Sequence, residues 1–222
     1  MQALIDEARR LALVEEGKRL AMKIIKNQIL AENLNRYNCN INMDHVRKLC
    51  FIHNPKCMGT SLKGWLGLPT QNADHQFPTL AVNKAVWEAY TTIVVVRNPV
   101  DRFVSSFNFH CRSGYDGGYL LKYPDLKEWR MEDYFQRMRV EQPYVVAPQW
   151  KYTTHLNSEA GPNHLIRMED SAAGIQRLAD DLGIQASIPG LNRSSGSKPT
   201  ITHKFRTTLE DYYLRDFETF GY

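Results

Sequence analysis

The chain has no apolar run near the roughly 18 residues that a membrane-crossing helix needs, because charged and polar residues interrupt every hydrophobic stretch. Its first 30 residues carry Asp6, Glu7, Arg9, Arg10, Glu15, Glu16, Lys18 and Arg19, a pattern that excludes a signal peptide. Cysteine is scarce. The four present, Cys39, Cys50, Cys57 and Cys111, lack metal-ligand spacing. Without an export signal they read as reduced thiols of a cytoplasmic protein, or of a luminal one if a native leader precedes them. No Asp/Glu/His cluster has metal-ligand spacing, so a metal-free chemistry is expected. Internal repeats and low-complexity tracts are lacking too, which excludes solenoids. The net charge of +4 is mild. It suits an anionic ligand and is far from the basic surface of a nucleic-acid binder.

What is present fits a single globular domain. Hydrophobic residues make up 43% of the 222 and charged residues 23%, enough for a sizeable core. Residues 3–34, rich in Ala, Leu, Glu, Lys and Arg, predict a helix, and Asn33 to Asn42 an Asn-rich linker. We therefore expect a helical extension and linker over 1–40 and a catalytic domain over 45–222. Lys48–His53, Ile93–Val96 and His164–Arg167 predict strands, the second β-branched without alternation, as in a strand buried on both faces. Each precedes a helical segment: Thr60–Leu66, Val100–His110 and Ser171–Leu182. Strand–helix alternation implies an α/β fold, a three-layer sandwich with a central parallel sheet, whose ligands sit at the carboxyl ends of the strands. Leu191–Thr200 predicts a loop and Arg206–Phe220 a closing helix.

Two junctions carry the chemistry. In the first, the strand Phe51-Ile52-His53 leads through Asn54-Pro55-Lys56-Cys57-Met58 to Gly59-Thr60-Ser61 at the start of a helix. Outward backbone N–H groups and the helix dipole make such a terminus an anion site. Lys56 adds a full charge, and Thr60 and Ser61 add hydroxyl donors. The Walker A pattern is missing, since Lys56 precedes the glycine and Gly59 stands alone. A Cys-phosphatase loop is missing as well, because Lys63 rather than an arginine follows Cys57 at the sixth position. In the second junction a buried strand ends at Arg97, Asn98-Pro99 opens a helix, and Ser105 follows about two turns on, where it and Arg97 can share one phosphate. Arg102 is expected to pair with Asp101 or a neighbour.

A strand–Pro-Lys-x-x-Gly-Thr-Ser loop (Pro55 to Ser61) followed by a strand–Arg-Asn-Pro-Val-Asp-Arg-Phe-x-Ser segment (Arg97 to Ser105) resembles the sulfotransferases that use 3′-phosphoadenosine 5′-phosphosulfate (PAPS). Within them it is most similar to the carbohydrate group that includes heparan sulfate 2-O-sulfotransferases. The resemblance runs on through Ala147-Pro148-Gln149, Leu165 to Asp170, Leu182-Gly183-Ile184, Leu191 to Ser194 and Asp216 to Tyr222, so that it covers residues 48–222. The family's loop usually reads Pro-Lys-Thr-Gly-Gly-Thr-Ser, and here Cys57 and Met58 fill its middle.

The resemblance implies sulfuryl transfer from PAPS, without a metal, to a hydroxyl acceptor, a sugar or polysaccharide. It implies that Lys56 meets the bridging oxygen of the phosphosulfate. Met58, Gly59, Thr60 and Ser61 would hold the 5′-phosphate, Arg97 and Ser105 the 3′-phosphate, and Arg193 to Lys198 would close over the nucleotide. It also places a catalytic histidine in the interval that contains His75, and histidine titrates in the range a general base needs. His53, His110 and Glu88 are the other candidates for the base. His110, Arg112 and, by resemblance alone, Gln149 are candidate acceptor contacts. A phosphotransferase using ATP and magnesium, or a binding module without turnover, are the competing readings.

Overall fold

The computed structural model describes residues 42–70, 74–112, 117–188 and 200–222. The helix expected over 3–34, most of the linker after it, and Arg193 and Lys198 with their loop lie outside the described residues.

Four strands form one sheet in the order β1 (Met43–Asp44), β2 (Leu49–Ile52), β3 (Thr91–Val96), β4 (His164–Arg167). β2, β3 and β4 are parallel, with Ile52 opposite Val94 and Val96 opposite Arg167. β1 pairs antiparallel to β2, which makes the sheet mixed where an all-parallel one is expected. Two residues next to a polar turn carry too little pattern to read as a strand.

Alternation along the strands separates two apolar layers. Leu49, Phe51, Ile93 and Val95 pack on one face with Leu62 and Leu66 of helix α1 (Gly59–Leu66) and Leu178 of α2 (Ser171–Leu182). Cys50, Ile52, Val94 and Val96 pack on the other with Trp87, Tyr152 and Phe220. Helices therefore cover both faces, as the three-layer expectation requires. α2 lies against β4 because Gly174 has no side chain; a Cβ there would come within 2.8 Å of Ile166.

A third cluster surrounds α3 (Pro99–Phe107), in which Phe103 packs on Tyr134, Phe135 and Phe205. Asn98 caps α3 by accepting from the N–H groups of Val100 and Asp101 at 3.1 and 3.2 Å. Beyond Phe107 the helix widens into a π-helical turn over Asn108–Arg112. The single closing helix expected over 206–220 is two, α4 (His203–Tyr212) and α5 (Leu214–Phe220). The break falls at Tyr213, which is wholly buried and donates its hydroxyl to the Val146 carbonyl at 2.8 Å. Arg102, too, is wholly buried and donates to the carbonyls of Val145 and Ala147, with no bond to Asp101.

Candidate active site

β2 ends at Ile52, and the chain turns through Asn54-Pro55-Lys56-Cys57-Met58 into α1. Two residues of this turn have left-handed backbone, Lys56 at φ 63° and Met58 at φ 47°. Left-handed residues in such a turn swing successive N–H groups to one side, the concavity that holds anions. Non-glycine residues pay about 1–2 kcal/mol for that conformation, which explains why the family pattern has glycine where this chain has Met58. Met58 supplies no side-chain cap to α1. The first-turn N–H groups of Gly59 and Thr60 therefore point out of the positive end of the helix dipole. Thr60 is exposed and Ser61 half-buried.

Lys56 projects over the Phe109 ring, its Nζ 3.8 Å from the ring centroid. Phe109 belongs to the π-helical turn and is 43% exposed, so an apolar ring face lies beside the ammonium. Burial first, and the Arg97 charge second, pull the Lys56 pKa down to about 8. Arg97, at the end of β3, donates from Nη1 to the Lys56 carbonyl at 3.4 Å. The two cations expected to hold the two ends of a nucleotide thus stand side by side. Ser105 is half-buried on α3, and no hydrogen bond joins it to Arg97 among the described residues.

His75 comes to the same place from the irregular segment that precedes the short helix Pro78–Ala81. Its Nδ1 lies 2.9 Å from the His53 carbonyl oxygen. A carbonyl only accepts, so Nδ1 carries the proton and Nε2 holds the lone pair. The His75 ring meets the His53 ring edge-on at 4.3 Å between centroids. Burial is the main cause that lowers its pKa, against the opposing bond to His53, and the ring is neutral at neutral pH. Lys56 adds its repulsion to His75, His53 and His110 alike, so all three rings share the field of one lysine. His53 packs against Gly59 and Phe51. Glu88 stands apart, bonded to Ser158 at 2.6 Å and paired with Lys84 at 3.7 Å.

The acceptor contacts expected from the sequence differ in their surroundings. His110 is buried and its Nδ1 lies 2.7 Å from the Tyr134 hydroxyl. Arg112 is exposed, yet its guanidinium donates to the carbonyls of Lys127 at 2.5 Å and Trp129 at 3.0 Å. Gln149 is 0% exposed, and its amide is bonded to Asn54 and Arg97. Sequence reasoning gave no role to Asn54, Phe109, Glu169 or Asp216. Glu169 accepts from the Asn98 N–H at 2.7 Å and from the Tyr222 hydroxyl at 2.9 Å, bracing the Arg97 turn. The one signal for Asn54 was its place between a strand end and a proline.

The buried histidines set an acid limit on stability. Burial is the chief cause that holds His53 down to about 3 and His110 down to about 4. The unfolded chain binds these protons near pH 6.5 and the folded one does not, so their contribution is complete above 6.5 and is lost as the pH falls below it. Urea denaturation should show the protein about 2–3 kcal/mol less stable at pH 5.5 than at 7.5, from about 1.4 kcal/mol per group per pH unit. Equal stability at the two values would mean that these rings are hydrated.

Among the described residues no helix is long and apolar enough to cross a membrane, and no group of three or more His, Cys, Asp or Glu is placed to hold a metal ion. No curated protein and no solved structure matches the chain. A family model does: that of the sulfotransferase family matches residues 39–222, a span that contains the Lys56 turn, the Arg97 turn, His75 and the bracing residues around them. With the match extending over most of its length, the chain belongs to the sulfotransferase family.

Proposed function

We propose that this sulfotransferase takes its sulfuryl group from PAPS and passes it to a hydroxyl on a carbohydrate. The observation that carries the reading is the pairing of Lys56, in an uncapped anion-binding turn, with Arg97, whose guanidinium touches the Lys56 carbonyl at 3.4 Å. Two adjacent cationic turns fit a ligand with two anionic ends, and the donor set of backbone N–H groups, ammonium and guanidinium fits phosphate oxygens. When bound, PAPS supplies a sulfuryl group whose bond to the 5′-phosphate oxygen breaks as the acceptor oxygen bonds to sulfur.

The chain's residues do the rest by positioning and electrostatics. Lys56 Nζ neutralises the charge that grows on the leaving oxygen. The Gly59 and Thr60 N–H groups and the Ser61 hydroxyl hold the 5′-phosphate, and Arg97, with Ser105 on the adjoining helix, holds the 3′-phosphate. His75 Nε2, with its lone pair fixed by the bond from Nδ1 to the His53 carbonyl, takes the proton of the acceptor hydroxyl. The exposed Phe109 ring beside Lys56 offers the apolar face that packs against the C–H side of a sugar ring.

Calorimetry with adenosine 3′,5′-bisphosphate, run beside ATP with magnesium, tests the donor. The bisphosphate should bind and ATP should not. Lys56→Ala and Arg97→Ala should each weaken the bisphosphate by about 10–150-fold, the worth of one charge-assisted contact. Affinity should also fall as the pH rises through about 8, where free Lys56 loses its proton. Above that pH, binding should take up a proton, because the bound anion restores the charge. Binding of ATP in preference to the bisphosphate would move the chain to phosphoryl transfer.

A further inference from the structure

The two cationic turns are joined at one side chain. Gln149 Oε1 accepts from Asn54 Nδ2 at 3.0 Å and from the Arg97 main-chain N–H at 3.0 Å, and its Nε2 donates to the Arg97 carbonyl at 2.6 Å. The Asn54 amide also donates to the Val95 carbonyl at 3.0 Å, and the Cys57 thiol approaches Gln149 Oε1 at 3.5 Å. The glutamine is itself anchored. Its N–H donates to Asp216 Oδ2 at 2.7 Å, and the next N–H, of Trp150, donates to Asp216 Oδ1 at 2.9 Å. Gln149 and Asp216 are 0% exposed and Asn54 1%.

A primary amide is suited to this place. It presents a donor and an acceptor side by side in one plane, and so pairs with both main-chain groups of Arg97 as a neighbouring strand would. Its oxygen then has lone-pair capacity left for Asn54, which belongs to the Lys56 turn. A carboxylate in its place would face the Arg97 carbonyl with no proton between them, and an apolar side chain would leave the Arg97 N–H and carbonyl without partners in a dry interior.

We propose that Gln149 is a positioning residue for two-phosphate recognition: it fixes the separation of the Lys56 and Arg97 turns so that both ends of one nucleotide are held at once. This inference rests on the PAPS reading above. It predicts a selective defect. A ligand that engages the Lys56 turn alone should be indifferent to Gln149, and a ligand that spans both turns should not.

The test compares adenosine 3′,5′-bisphosphate with adenosine 5′-monophosphate by calorimetry on the wild type, Gln149→Met and Gln149→Glu, with far-UV circular dichroism and thermal midpoints as controls for folding. Gln149→Met keeps the volume and removes the amide. The preference for the bisphosphate should shrink by about tenfold or more in both variants, the cost of one misplaced charge-assisted contact, while monophosphate affinity stays within about threefold, the spread of additive changes at a distance. Asn54→Ala, which cuts the link from the other side, should shrink the same preference if the Gln149 variants do not fold. Folded variants that keep the wild-type preference would overturn the positioning role alone. A wild type that does not bind the bisphosphate would overturn the PAPS reading, and this proposal with it.

Discussion

Replacement of His75 by alanine should reduce sulfuryl transfer by about 10²–10⁴-fold, the usual worth of a general base, while the bisphosphate binds as it does to the wild type. The split is expected because the proposed role of His75 is toward the acceptor hydroxyl, whereas the bisphosphate is assigned to the Lys56 and Arg97 turns. Its readiness as a base has a visible cause. The His53 carbonyl accepts the hydrogen bond from Nδ1–H, which leaves Nε2 as the acceptor, and burial lowers the pKa below the ordinary histidine value, favouring the neutral ring. Turnover of the wild type should accordingly decline only on the acid side of the ordinary histidine value, and the His75→Ala variant should lose that acid limb. Single-turnover assays with labelled PAPS, with calorimetry alongside, would show both effects. Turnover that survives in His75→Ala would remove this residue from the reaction and pass the role to His53 or His110, the other histidine rings in the field of Lys56.

The second large effect is expected at Gly59. A Cβ at this position would lie 1.9 Å from His53 Nε2 and 2.1 Å from its Cδ2, far inside van der Waals contact. The imidazole has little room to retreat. It is 6% exposed and stands between the Phe51 ring at 5.4 Å and the His75 ring at 4.3 Å. Gly59→Ala should cost about 1–3 kcal/mol, as overpacking of a filled core does, and should lower the thermal midpoint by several degrees. It should also reduce turnover, because a displaced His53 disturbs the carbonyl that sets the His75 tautomer. Adding His53→Ala should recover much of the stability and little of the activity, a non-additive pair of the kind that neighbours in contact produce. An unchanged midpoint in the single variant would mean that the ring relocates freely.

Much of this arrangement was legible before any coordinates. The unbroken β-branched run Ile93–Val96 reads as a central strand and is one, buried at every position. His164–Arg167 and Ser171–Leu182 fall where their patterns place them, because apolar periodicity and burial have the same cause. The Lys56 and Arg97 turns lie between a strand end and a helix start as expected, because such junctions follow from local sequence.

What escaped the sequence is non-local. Gln149 enters the sequence reading by resemblance alone, and nothing within a few positions of it says that Asn54, Arg97 and Asp216 converge on it. Tyr213 reads as one more residue of a long helix until the core claims its ring. Met58 reads as a departure from pattern, and the backbone still takes the left-handed turn at φ 47°. Phe109 gains its place beside Lys56 from the widened π-helical turn, a change of helix register that no spacing rule anticipates.

The anchoring of Gln149 by Asp216 also has a meaning in time. During synthesis residues emerge in order, and the Lys56 and Arg97 turns leave the ribosome long before residue 216 does. Their separation is fixed by a side chain whose own backbone is held from α5, near the far end of the chain. The strands of the sheet all come from earlier in the chain, so the proposed two-phosphate grip would be complete only once α5 has docked and Asp216 holds the Gln149 backbone.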